Sequence, residues 1–106
     1  MANNFTPSTF RPSTVTNLSY STSAGTAVST AGFGTQTYWI SLCAPGAFTS
    51  TGGVRVNIGD SPTATSSSAL LPFNWIQQYK VTSGQKASAL SNDGVAGTLV
   101  VVELTN

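Results

Sequence analysis

The segment Val54-Arg55-Val56-Asn57-Ile58 alternates aliphatic and polar residues without a break. That period of two sets three aliphatic side chains on one face of an extended strand and Arg55 and Asn57 on the other. No stretch of the chain carries a helical period of comparable strength. Between Thr35 and Cys43, Tyr38, Ile40 and Leu42 share one face while Trp39, Ser41 and Cys43 share the other. The closing stretch from Gly97 to Thr105 reads Leu99-Val100-Val101-Val102-Glu103-Leu104 and is apolar on both faces. Strands of this two-sided kind are expected in the middle of a sheet.

Weaker strand signals fill the rest. Thr14 to Thr30 is β-branched and hydroxylated, which fits two short strands broken near Ser23 to Gly25. Gln77 to Val81 and Lys86 to Ser91 flank a tight turn at Thr82-Ser83-Gly84-Gln85, and Asn92-Asp93-Gly94 is a turn that accepts positive φ. About seven or eight short strands separated by Gly, Pro and Asn turns predict an all-β chain, a single antiparallel β-sandwich or jelly roll. That domain is expected over residues 14–106. Residues 1–13 hold Pro7, Pro12 and two isolated aromatics, Phe5 and Phe10, and read as an extended N-terminal arm that orders on a neighbouring subunit.

Between the better strands lies Leu70-Leu71-Pro72-Phe73-Asn74-Trp75-Ile76, five large apolar residues around a proline. It reads as an ordered connection whose side chains close the mouth of the sandwich or face a partner.

Charge narrows the function. Only Arg11, Arg55, Lys80, Lys86, Asp60, Asp93 and Glu103 are charged, and the chain has no histidine. Side-chain catalysis near neutral pH needs a group that exchanges a proton or a charge fixed beside the reacting atom. Without histidine, a Ser-His-Asp or Cys-His arrangement is impossible, and one cysteine cannot build a zinc site. Asp60 and Asp93 read as local backbone caps, and Glu103 as a cross-sheet partner of Arg55 or Lys86. Cys43 reads as a small core hydrophobe. Gly32-Phe33-Gly34 and Gly52-Gly53 lack the Lys-Ser/Thr of a phosphate loop. Four scattered cations make no nucleic-acid stripe, and no apolar run reaches membrane-span length. The expectation is a non-enzymatic protein with no cofactor and no metal, contacting neither nucleic acid nor membrane.

The same composition favours association. Ser and Thr supply 31 of 106 positions, so the polar surface is made of hydroxyls and the net charge is only +1. Copies of such a chain repel one another weakly. A domain of this size buries roughly 65% of its unfolded surface, so modest stability is expected of an isolated monomer and association is expected to add to it. Sheet edges need charge or cover, and this chain has little charge to use.

The aromatics Trp39, Phe48, Phe73, Trp75 and Tyr79 together with Asn74, Gln77 and Gln78 are residue types that stack on and hydrogen-bond to sugars. The favoured reading is that Trp39 and Tyr79 are core and that Phe73 and Trp75 plug a sandwich end or an interface.

The run Val54 to Thr65, the block Leu70-Leu71-Pro72-Phe73-Asn74-Trp75, Lys80-Val81-Thr82-Ser83-Gly84-Gln85-Lys86-Ala87 and the segment Gly97 to Thr105 resemble small virion structural proteins of tailed bacteriophages. The resemblance spans roughly residues 36–106. It implies a jelly-roll or sandwich module that decorates or cements a capsid, often as a trimer, and that is synthesised in the host cytoplasm and located on the capsid surface. It carries over no individual functional residue. The expected partners are the chain itself, as a homotrimer, and the major capsid protein or other virion proteins. The candidate contact residues are Phe5, Phe10, Arg11, Leu70, Leu71, Phe73 and Trp75. The alternative is a glycan- or receptor-binding β module of a tail fibre or spike.

Overall fold

The computed structural model of the chain describes residues 11–20, 27–46 and 52–105. They form eight strands: β1 (Arg11–Tyr20), β2 (Val28–Ser29), β3 (Trp39–Cys43), β4 (Val54–Gly59), β5 (Ala69–Leu71), β6 (Ile76–Lys80), β7 (Lys86–Ser91) and β8 (Gly97–Thr105). Two four-stranded antiparallel sheets result, one in the order β1-β8-β3-β6 and the other β2-β7-β4-β5. The first strand therefore pairs with the eighth, the second with the seventh, the third with the sixth and the fourth with the fifth. That is the pairing of one long hairpin, rolled until β8 also meets β3 and β7 also meets β4. This wiring is the jelly roll.

The expected central strands are central. β8 and β3 occupy the middle of the first sheet, and β4 and β7 the middle of the second. Ile40, Leu42, Val54 and Leu99 have no exposure, and Val101 is only 1% exposed. Tyr20, Phe33, Ala44, Val56, Leu71, Val81, Ala87 and Ala89 complete the core between the sheets. Leu42 and its neighbours enter it from alternate positions, as the period of two requires.

Several elements differ from the sequence reading. β1 starts at Arg11, three residues inside the segment assigned to the arm, while Phe5 and Phe10 lie outside the described residues. Pro12 is tolerated because β1 is an edge strand and its ladder is irregular between Pro12 and Val15. β3 starts at Trp39, because Thr35 and Gln36 form a turn closed by Thr37 N–H donating to Gly34 O at 3.1 Å. The Leu70 to Ile76 block is not one connection. Pro72 interrupts the ladder only from 72 to 75, leaving β5 paired with β4 before it and β6 paired with β3 after it.

Part of the outer face of the β2-β7-β4-β5 sheet is covered by the chain itself. The β4–β5 loop folds back over it: Ala64 N–H donates to Ser88 Oγ at 2.9 Å and Arg55 Nη1 to Ser68 O at 3.0 Å. Ser88 consequently has no exposure although it points away from the core, and Leu90 on the same face is 8% exposed.

Glu103 is not the partner of Arg55 or Lys86. It belongs to the other sheet, opposite Ile40, and points inward at 8% exposure. Its Oε1 accepts from Gly34 N–H at 2.9 Å and Thr37 Oγ1 at 2.7 Å, pinning the loop that leads into β3. A buried carboxylate is tolerable here because two donors meet it. Arg55 instead donates from Nε to Asn92 Oδ1 at 3.0 Å and from Nη1 to the loop carbonyl of Ser68. Glu103→Ala strands both donors of the β2–β3 loop and is expected to lower stability by about 2–3 kcal/mol in urea unfolding. Glu103→Gln keeps one acceptor and loses less.

Candidate partner interface

The register places β-strand ends together. Tyr20 faces Gly97, and Ile76 faces Cys43, which in turn faces Val100. One end of the sandwich therefore gathers the end of β1, the exit of β3, the β5–β6 connection and the β7–β8 loop. Arg11, Trp39, Lys80 and Thr105 mark the opposite end.

At the first end the β5–β6 connection is locked by one side chain. Asn74 has φ 66°, a left-handed conformation that asparagine tolerates better than most residues. Its N–H donates to Ala44 O at 2.9 Å; its Oδ1 accepts from Gly46 N–H at 3.2 Å and its Nδ2 donates to Gly46 O at 2.6 Å. The amide thus pairs with the backbone of Gly46 as a neighbouring strand would. Phe73 lies flat on Gly46, where a β-carbon would come within 3.2 Å of its ring. Beyond the lock the chain turns Trp75 and Ile76 outward, 63% and 69% exposed.

Beside them a cleft of about 280 Å³ is lined by Tyr20, Pro45, Gly46, Phe73, Asp93 and the residues Val95 to Gly97. Tyr20 fits there because Gly97 has no side chain: a β-carbon at Gly97 would meet the Tyr20 ring. Asp93 caps its own turn, with Oδ1 accepting from Val95 N–H at 3.1 Å and Ser91 Oγ at 3.2 Å. Val95, at the lip, is 57% exposed. Burial pushes the Tyr20 hydroxyl above its ordinary value of 10.0, and the negative charge of Asp93 adds to the effect.

The candidate contact residues separate. Trp75 is prominent on the surface and Leu70 is 43% exposed on the outer side of β5. Phe73 is partly buried against the core, and Leu71, at 2%, belongs to the core itself and offers nothing to a partner. Arg11 stands at the far end, on β1. Tyr79 packs partly against the core, as expected, whereas Trp39 and Cys43 are half-buried on the outer side of β3. Cys43 is thus no core residue: it alternates with Ile40 and Leu42, which take the inward positions. Phe48 lies outside the described residues. Val95 was missed by the sequence reading because a lone valine in a glycine turn carries no periodic signal.

Among the described residues, no three His, Cys, Asp or Glu side chains come together to hold a metal, and no helix is long and apolar enough to cross a membrane. Asp60 is exposed after β4, distant in the strand order from Glu103. No family model, curated protein or solved structure matches this chain.

Two outcomes follow from this end of the molecule. Asn74→Ala removes the amide pairing with Gly46 while retaining a β-carbon at positive φ, and is expected to cost about 1–3 kcal/mol in thermal or urea unfolding. The second concerns alkali. Because the folded-state pKa of Tyr20 is raised, the unfolded chain releases this phenolic proton first, and stability falls as pH rises. The contribution is intact below pH 10.0 and is lost as pH climbs through the folded-state value. Urea midpoints measured from pH 8 upward are expected to fall less steeply in Tyr20→Phe.

Proposed function

We propose that this chain is a non-enzymatic structural protein of a virion, a cement or decoration protein that associates with itself and bridges neighbouring capsid subunits of a phage head. The observation that carries the reading is the segregation of apolar surface. Four of the six large hydrophobic side chains exposed on the described residues, Leu70, Trp75, Ile76 and Val95, belong to β5, the β5–β6 connection, the start of β6 and the β7–β8 loop. Monomeric soluble domains seldom gather such groups, and aromatic residues anchor protein interfaces. The rigid Asn74 lock supports the reading further, since a preorganised loop forfeits little entropy on docking. A jelly roll with a hydroxyl-rich surface and few charges suits permanent burial in an assembly better than it suits catalysis.

The second reading, a glycan- or receptor-binding module, draws on the exposed Trp75 with Asn74, Gln77 and Gln78 near it on the surface. One pair of variants separates the two. Trp75→Ala and Ile76→Ser lie on exposed positions and are expected to leave folding intact. On particles stripped of the protein and redecorated, combining them is expected to lower occupancy by about tenfold or more, a loss near 1.4 kcal/mol. Full occupancy by the double variant removes this end from the contact. Saccharide capture on a glycan array that disappears with Trp75→Ala favours the second reading.

A further inference from the structure

The two sheets treat their outer faces differently. The outer face of the β2-β7-β4-β5 sheet carries the polar Arg55, Asn57, Ser29 and Ser88 beside Leu70 and Leu90, and its middle is held under the β4–β5 loop. The outer face of the β1-β8-β3-β6 sheet is apolar along β8 and mixed on the strands beside it. Ile40 and Leu42 point inward with no exposure, so Trp39, Ser41 and Cys43 point outward, and directly paired residues share their side. Their partners on β8 are Leu104, Val102 and Val100, and on β6 Lys80, Gln78 and Ile76. On β1, Val15 lies opposite Val102 and is 57% exposed.

An antiparallel sheet that faces water on one side alternates apolar and polar residues. β8 breaks that rule with three aliphatics in succession on its outer side. No acidic residue stands among these outward positions, and Lys80 lies only at the edge strand.

We propose that this face is the contact between copies of this chain, packed sheet on sheet. A second copy answers its chemistry, because an uncharged aliphatic strip bordered by Ser, Asn and Gln is complementary to itself, and a net charge of +1 opposes pairing only weakly. The size also fits. Strands of 10, 9, 5 and 5 residues, at about 3.3 Å per residue and about 4.8 Å between strands, give a flat footprint of roughly 450 Å² per copy. A facing pair covers about 900 Å² before side-chain relief is counted, close to the ~1,000 Å² at which specific interfaces begin. This surface meets the end carrying Trp75 and Val95 at Ile76, while Val15, Val102 and Leu104 lie apart from that end, so self-association stands whether or not that end docks on a capsid, and its test requires no particle.

The test is sedimentation of the full chain over a range of concentrations, with Val102→Lys and Val15→Lys as variants on the outer face. Wild type is expected to sediment above the monomer mass and to dissociate on dilution. Each variant is expected to keep the circular dichroism of wild type and to associate at least about tenfold more weakly, since a lysine buried without a partner opposes the contact. Alkylation of Cys43, which lies within the face, is expected to be about tenfold or more slower in associated wild type than in Val102→Lys. Val15→Lys keeps the experiment decisive should Val102→Lys fail to fold, because Val15 is already mostly exposed. A wild type that is monomeric throughout, or variants that associate as wild type does, overturn the proposal. So does association that persists in both variants but vanishes when residues 2–10 are deleted, which would assign the contact to the N-terminal segment.

Discussion

The ladder between β1 and β8 is the constraint from which the architecture follows. It joins the first described strand to the last, over registers from Arg11 with Thr105 to Tyr20 with Gly97. Once these ends are paired antiparallel, every other pairing nests inside: β2 with β7, β3 with β6, β4 with β5. Two layers then arise because β8 needs a second neighbour and finds it in β3, while β7 finds β4. β8 is fitted to this position by aliphatic side chains on both faces. Its inner members, Leu99 and Val101, are with Ile40, Leu42 and Val54 among the largest fully buried side chains of the described residues.

Polar groups finish what apolar burial begins, and each does so at a place where the ladder stops. Glu103 gathers Gly34 and Thr37 where the chain enters β3, Asn74 imitates a strand partner for Gly46 where it leaves, and Ser88 and Arg55 hold the β4–β5 loop against the second sheet. These bonds are the reason a chain with few charges still has defined loops. In each case backbone groups that a terminating strand leaves open find a side chain instead of water.

Much of this was legible in the sequence. The period of two over Val54 to Ile58, the two-sided strands ending at Cys43 and Thr105 and the turns at Gly84 and Gly94 fixed fold class and most strand positions, because alternation and positive φ are local properties. Pairing partners were not legible. Glu103 was matched to cations because charge is visible in a sequence, whereas its true partners are a backbone N–H and a threonine hydroxyl with no distinctive pattern. Pro72 suggests an uninterrupted loop, since a proline disqualifies its own position but says nothing of the strands that pair before it and, from Ile76, after it. The apolar outer positions of β3 and β8 were read as burial within a sheet. Central placement accounts for their neighbours on both sides and says nothing of their outer face, a distinction that requires knowing what lies above the sheet.

The nested wiring also sets a schedule for folding. A ribosome releases the N-terminal half first, yet β1, β2 and β3 each wait for a partner from the half still to be made, so among the described strands the first hairpin able to form is β4 with β5. Until the last strand emerges, β1 has neither its ladder nor its sheet, and closure must then bridge almost the whole sequence, which makes for slow folding. During that interval the Ser/Thr-rich composition of β1 keeps a waiting edge soluble where a run like that of β8 would aggregate.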